Sequence, residues 1–363
     1  MIKQGQEFYL TESLQQHPSA FIIFDKDLNI KWMNNSSKYI FTCEDAEELK
    51  IKGVFSLGAS KKLEEVKIAS SFESNIEIQL RKITFFLRSR VHEVPLEDDS
   101  SFYLLEVITN SKESLEAMKG TITCIEHDRI DLAYQKQINL KTGKLVGLEA
   151  LLRLRDEDGN IIPNDKFIPL IEGESLFSLV VMSSLQKLKK AFELKNEFNM
   201  DGVTIYLNVS AHTAMQDNFT KIFADFVKDL SLKPGELGLE ITETAELEDV
   251  KKAGESFQKL KDIGIPLAID DFGAGYSSLS YLRDLPVDSV KLDKVFAKTI
   301  SEKTTSELIK FVVSVCDTLS LNMLGEGIET DDQKEKFIKI GCPNGQGYLM
   351  HRPEFIEDLK KSL

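Results

Sequence analysis

The segment Leu267–Ser278 runs LAIDDFGAGYSS. Leu267, Ala268 and Ile269 form a short apolar run after Gly264 and Pro266, the pattern of a buried strand. The run ends in two adjacent carboxylates, Asp270 and Asp271, and Gly273 and Gly275 then permit a tight loop. Neighbouring acids repel, and burying them unpaired is costly, so a cation belongs between them. Oxygen ligands alone suit hard divalent ions such as Mg²⁺ or Mn²⁺. A surface Asp-Asp turn is the competing reading of these residues by themselves.

On both sides of this segment, from Ile130 onward, strands and helices alternate at about one pair every 30 residues, the rhythm of an α/β barrel. Strands are expected at Val146 to Leu152 with Glu149, Val203 to Val209 with Asn208, and Leu237 to Thr242 with Glu240. Further strands are Ser289 to Leu292 with Lys291, Met323 to Gly327 with Glu326, and Gly345 to Met350 with Gln346. Helices are expected over Leu176 to Phe198, Phe219 to Leu230, Leu247 to Ile263 and Leu308 to Leu319. Polar residues recur near the ends of apolar strands, and in a barrel those ends share one face.

The first third reads differently. Phe21 to Phe24 and Asn29 to Met33 are apolar runs joined by Asp25, Lys26 and Asp27, a hairpin with turn chemistry. Helical spacing follows from Asn35 to about Val66, then strands at Asn75 to Leu80, Ile83 to Val94 and Ser101 to Ile108. This order resembles a small α+β PAS sensor domain over about residues 10–110, which implies signal input and dimerisation. His17, His92 and Cys43 lie in no context that marks haem or flavin attachment, so no cofactor is expected there. The chain thus divides into a PAS-like domain at 1–110, a linker helix at 111–122 and a barrel domain at 123–363.

A net charge of −14 disfavours nucleic acid and anionic membranes as partners. Metal ions can nevertheless reverse the local field for an anionic ligand. The cysteines Cys43, Cys124, Cys316 and Cys342 show no CxxC spacing and read as core thiols of a reducing compartment. Met1 to Leu14 lacks a secretory apolar core, and Leu176 to Leu185 is too short to span a bilayer, so a cytoplasmic protein is expected.

The strand-end residues sit in a series of motifs. GLEALLRL contains Glu149-Ala150-Leu151. It is followed in order by LNVS (Leu207–Ser210), LEITE (Leu239–Glu243), DDFGAGYSSLSYLRDLPVDSVKLDK (Asp270–Lys294), GEGIET (Gly325–Thr330) and GQGYLM (Gly345–Met350). This series resembles the EAL-domain family of cyclic-di-GMP phosphodiesterases over about residues 122–358. The resemblance implies a (β/α)₈ TIM-like barrel with one antiparallel strand. It makes Glu149, Asn208, Glu240 and Asp270 ligands of one ion, with Asp270 shared with a second ion held by Asp271 and Glu326. It also places Lys291 at the attacking water, Gln135, Arg153 and Gln346 at the substrate, and Glu243 and Glu329 as braces of the loop from Phe272 to Ser278. A homodimer through both domains is implied as well.

The chemistry agrees with those roles. A phosphodiester repels hydroxide, and two metals roughly 3.5–4 Å apart can activate water and neutralise the phosphate. Near bound ions, like charge is expected to lower the pKa of Lys291 toward a proton-transfer role. The chain departs from the family where Tyr134-Gln135-Lys136 replaces a frequent Tyr-Gln-Pro, Leu154 replaces a common Trp, and IEGES occupies Ile171 to Ser175. A cyclic-di-GMP receptor without turnover is the alternative. Asp271-Phe272-Gly273 alone does not make a kinase, since neither a glycine-rich nucleotide loop nor an HRD-type loop accompanies it.

Overall fold

A computed structural model describes residues 14–15, 19–41, 43, 49–52, 71–80, 83–95, 101–107, 112–164, 167–168, 176–215, 219–242, 250–273 and 279–363. The chain forms two compact units, Met1–Ile130 with Arg153–Ser183, and Asp131–Leu152 with Ser184–Leu363.

In the first unit, strands β1 (Phe21–Phe24), β2 (Ile30–Met33), β3 (Leu49–Lys52), β4 (Ser71–Leu80), β5 (Ile83–Pro95) and β6 (Ser101–Val107) form an antiparallel sheet in the order β2-β1-β6-β5-β4-β3. Asp25 makes the expected turn, its Oδ1 accepting from the backbone N–H groups of Asp27 at 2.9 Å and Asn29 at 3.0 Å. Helix α1 (Asn35–Phe41) buries Ile40 and Phe41, and Phe24 stacks on Tyr103 at 5.5 Å. The stretch read as helical up to Val66 also contains β3, whose LKIK alternation is a period of two, too short to stand out from sequence. Residues 42, 44–48 and 53–66 of that stretch, and His17, lie outside the described residues. Helix α2 (Lys112–Glu126) is longer than the linker expected at 111–122.

The second architecture is a closed barrel. Strands β7 (Ile130–Asn139), β8 (Leu145–Arg155), β10 (Thr204–Ser210), β11 (Leu237–Thr242), β12 (Leu267–Phe272), β13 (Ser289–Leu292), β14 (Asn322–Gly325) and β15 (Asn344–Gly345) follow one another around it. A β7–β8 pairing shuts the ring, and short β9 (Ile161–Ile162) and β16 (Glu354–Phe355) pair at its margin. β10 to β15 run parallel with β8, whereas β7 is antiparallel to β15, the single reversed strand of the resemblance. Alternation decides what faces where: Ile205, Leu207, Val209, Leu239, Ile241, Val290 and Leu292 are buried and apolar, while every second residue between them is polar or small.

Helices α3 (Leu176–Glu197), α4 (Ala211–Ala214), α5 (Phe219–Asp229), α6 (Val250–Asp262), α7 (Leu279–Asp284), α8 (Lys294–Thr299), α9 (Lys303–Leu319), α10 (Asp331–Ile340) and α11 (Ile356–Ser362) complete the described elements. Apolar residues at helical spacing, such as Phe219, Phe223 and Phe226 of α5, are buried. The strand expected over Gly345 to Met350 shrinks to Asn344–Gly345, leaving Gln346 just beyond its end. Helix α9 starts at Lys303 rather than Leu308, because its polar first turn carries no apolar periodicity. All four cysteines are free and buried. Among the described residues no helix is long and apolar enough to cross a membrane.

Candidate active site

The inward positions of the barrel strands converge on Lys291. Its Nζ lies 2.6 Å from Glu240 Oε2, 2.8 Å from Asp270 Oδ1, 2.8 Å from Glu326 Oε1 and 3.6 Å from Glu149 Oε2. One ammonium is thus surrounded by four carboxylates, with Lys291 2% exposed and Glu240 wholly buried. Asp270 Oδ1 is in ion-pair range yet has no hydrogen-bond partner among the described residues. Buried charge of one sign in this excess is expensive unless further cations share it.

Amide side chains hold the carboxylates at fixed angles. Asn208 Nδ2 donates to Glu149 Oε1 at 2.8 Å, and Gln346 Nε2 donates to Glu149 Oε2 and, at 2.8 Å, to Gln135 Oε1. Gln135 Nε2 donates in turn to the His351 carbonyl at 2.9 Å, and Gln137 Nε2 donates to Glu240 Oε1 at 2.9 Å. A Cβ at Gly147 would lie 2.3 Å from Gln137 Oε1, so glycine on β8 is what admits this amide. The oxygen of Gln346 is buried and has no hydrogen-bond partner among the described residues.

Burial raises the pKa of these acids, and mutual repulsion adds to it. Glu240 is pushed well above the ordinary carboxylate range by burial and by Glu149, and Glu326 to about 8 by burial, with Lys291 opposing. Asp270 is raised by burial against the pull of Lys291. Glu149 ends below the usual range: burial opposes its ionisation, but Lys291, Gln346 and Asn208 together outweigh that cost. Burial would lower the pKa of Lys291, but Asp270, Glu149, Glu240 and Glu326 raise it well above its ordinary value. The lowering expected from like charge therefore does not describe these residues without ions.

Asp271 reaches the same place by a local irregularity. In a regular strand it would face away from Asp270, one residue earlier. Here the β12–β13 register shifts between Ile269 and Phe272, and Asp271 adopts a left-handed φ of 52°, a conformation Asp tolerates better than most residues. The outcome is two oxygen groups sharing Asp270: Glu149, Glu240 and Asp270, and Asp270, Asp271 and Glu326, each with atoms within 4.8 Å of one another. Asp271 is pushed up to about 6 by burial, by Asp270 and by Asp293.

A cleft of about 460 Å³ opens above these groups, lined among others by Gln135, Glu149, Glu326, Glu329, Gln346 and Tyr348. Hard oxygen donors, an unpartnered Gln346 oxygen and surplus carboxylate charge fit divalent ions of the Mg²⁺ type. Arg153 is half-buried on β8 and belongs to the first unit. Glu243, and the loop beyond Gly273 as far as Ser278, lie outside the described residues. Glu329 is exposed at the cleft, its N–H donating to Gln333 Oε1 at 2.7 Å. Gln137 and Asp293 escaped the sequence reading, although Gln137 stands two residues from Gln135 on the same face of β7; Asp293 lies just past β13 and caps α8. Lys294, Lys298 and the carbonyl of His351 carried no such signal.

Comparison with known proteins bears on this site. The family model described as the EAL domain matches residues 116–353. The chain belongs to the EAL-domain family. Among relatives of this EAL chain is the cyclic di-GMP phosphodiesterase PdeA of Borreliella burgdorferi, 29% identical over 354 residues, covering 89% of this chain and 52% of that protein. Another is the cyclic di-GMP phosphodiesterase PA2567 of Pseudomonas aeruginosa, 32% identical over 232 residues, 63% of this chain and 39% of that one. The chain therefore spans about half or less of the length of these relatives. A solved structure of the PaMucR phosphodiesterase in complex with c-di-GMP aligns with a TM-score of 0.63 and 28% identity, over 67% of this chain and 99% of that one. The EAL barrel expected from the motifs is thus present.

Proposed function

We propose that the protein hydrolyses cyclic-di-GMP to linear 5′-pGpG, using two Mg²⁺ or Mn²⁺ ions. The observation that carries this reading is the pair of oxygen groups sharing Asp270 around a single lysine, the first group buried and the second opening to the surface at Asp271. Glu149, Asn208, Glu240 and Asp270 would hold one ion, and Asp270, Asp271 and Glu326 the other. When bound, such ions neutralise phosphate charge and make water acidic enough to attack at neutral pH. Lys291 keeps Glu240, Asp270 and Glu326 in register and, as an ammonium, presents a donor that orients the attacking water. Gln346 fixes Glu149 by donating to it and keeps its buried oxygen unpartnered among the described residues. Gln135 holds Gln346 in that orientation.

The N-terminal sheet is read as a PAS-like sensor that regulates the barrel, and the chain as a cytoplasmic homodimer. Buried reduced thiols are consistent with that compartment. Purified protein incubated with cyclic-di-GMP and Mg²⁺ or Mn²⁺ should yield pGpG on chromatography, and Glu149→Ala should abolish it while leaving the fold intact. Tight binding of cyclic-di-GMP by the wild type without any pGpG would replace the enzyme by a receptor.

A further inference from the structure

Cyclic-di-GMP carries two phosphodiesters, and a hydrolytic centre acts on one at a time. The uncut phosphate brings a full negative charge toward a site already rich in carboxylates, so it needs a cation outside the acid cluster. Lys294 and Lys298 are the only cations lining the cleft, among thirteen described lining residues that also include Asp271, Glu326 and Glu329. They stand four residues apart on α8 and therefore share one face. Both are exposed, and neither has an ion-pair or hydrogen-bond partner among the described residues, unlike Lys291 beside them in sequence.

The helix that carries them is docked on the site. Asp293 caps it, its Oδ1 accepting from Val295 N–H at 2.7 Å. Gln333 Nε2 donates to the Ala297 carbonyl at 3.0 Å, tying α8 to α10. Gly327, with φ of 67°, follows Glu326 directly, and a Cβ there would lie 2.5 Å from Lys294 Cβ. This contact seats the Lys294 backbone against the strand end that supplies Glu326. The ammonium groups thus project from an anchored helix beside the acids.

We propose that Lys294 and Lys298 form a second anion subsite that takes the uncut phosphate of the cyclic dinucleotide, a role that rests on the phosphodiesterase reading above. Their task is to bind and orient, so their removal weakens affinity more than turnover. The subsite favours ligands with two phosphates over those with one.

The test compares wild type, Lys294→Ala/Lys298→Ala and Lys294→Arg/Lys298→Arg. Equilibrium binding of cyclic-di-GMP is measured by calorimetry, and KM and kcat for cyclic-di-GMP and for bis(4-nitrophenyl) phosphate, which has one phosphodiester. Losing two exposed charge contacts should weaken cyclic-di-GMP binding and raise its KM by about tenfold or more, with kcat much less affected. The KM for bis(4-nitrophenyl) phosphate should rise several-fold less, and the arginine pair should restore most of the affinity. Equal losses for both substrates, or cyclic-di-GMP affinity within twofold of wild type, overturn the subsite while leaving the phosphodiesterase reading standing. Turnover failing in the wild type while the alanine pair still weakens binding overturns the enzyme reading and supports the subsite. A wild type that binds no cyclic-di-GMP overturns both.

Discussion

The N-terminal sheet and the barrel both bury polar side chains, and they treat them in opposite ways. In the sheet, wholly buried Asn34 is fully used: its Oδ1 accepts from Phe21 N–H and Ser37 N–H, each at 3.0 Å, and its Nδ2 donates to Ser19 O at 2.8 Å and Leu14 O at 3.1 Å. In the barrel, Lys291 faces four carboxylates and the Gln346 oxygen has no hydrogen-bond partner among the described residues. A satisfied network specifies a structure, whereas a network left with surplus charge holds energy that a bound ion or substrate can release. The distinction separates residues that build this molecule from residues that act.

The sharpest way to break the comparison is Lys291→Met. It removes the cation of the acid cluster, and turnover of cyclic-di-GMP should fall by about 10³-fold or more, the scale of losing a positioned proton donor. Metal-stripped protein should also lose about 3–5 kcal/mol of stability, since buried Glu149, Glu240 and Asp270 and half-buried Glu326 lose their counter-charge. Divalent ions should recover much of that loss in a thermal melt. If activity and melting are both unaffected, Lys291 belongs with the structural residues.

Asn34→Ala tests the other side. Four partners lose their bonds, and stability should drop by about 2–3 kcal/mol in denaturant unfolding. The kcat/KM of the folded fraction should stay within twofold. A selective loss of turnover would erase the contrast between the two regions.

How much of this was legible follows from the same physics. Strand alternation around Glu149, Asn208, Glu240, Asp270 and Lys291 is local, so the barrel and its inward acids could be read from a period of two and short apolar runs. Glu326 and Gln346 were read as strand residues as well as by motif, but both strands stop at the preceding glycine and leave them just beyond the strand end. Asp271 was placed at the site by its adjacency to Asp270 and by the motif, not by strand alternation, because its inward turn depends on a register shift and a left-handed φ that no periodicity encodes. Gln137 was available from its parity with Gln135 and was missed. Lys294 and Lys298 owe their place to α8, a helix of six residues too short to leave an amphipathic signature. β3 was lost for the same reason of length.

pH separates the two regions again. In metal-stripped barrel, Glu326 is raised to about 8 and Asp271 to about 6, both chiefly by burial. The folded state then holds protons that the unfolded chain releases near pH 4, so stability declines as pH rises from about 4 toward 8. Asp25 in the sheet runs the other way: burial opposes its ionisation, but Lys31 and Asn29 prevail and bring it down to about 2. Its stabilising contribution is present above pH 4 and is lost as pH falls toward 2. Melts in EDTA should slope downward toward alkaline pH, and Glu326→Gln should flatten that slope, whereas Asp25→Asn should change only the acid limb. A flat profile from pH 5 to 8 in EDTA would remove the surplus charge from the barrel.

The smallest expected effect concerns the rim where this chain departs from its family. Lys136 occupies a frequent proline position, and its backbone N–H donates to His351 Nδ1 at 3.3 Å. That contact places the imidazole proton on Nε2, 3.1 Å from Glu354 Oε2, and burial lowers the His351 pKa so that the ring is neutral at pH 7. Lys136 Nζ also donates to the Ser362 carbonyl at 2.7 Å and lies 3.2 Å from its hydroxyl, tying α11 to β7. Gln135, which steadies Gln346, is bonded to the His351 carbonyl rather than to the ring, so the ring network braces the site without entering it. Lys136→Pro removes the N–H and the ammonium together. It should cost about 1 kcal/mol in unfolding, with kcat changed by less than threefold. Lys136→Ala keeps the N–H and should cost about half as much, because the exposed ammonium contributes little. A tenfold loss of kcat in Lys136→Pro at unchanged stability would move His351 from the structural class into the active one.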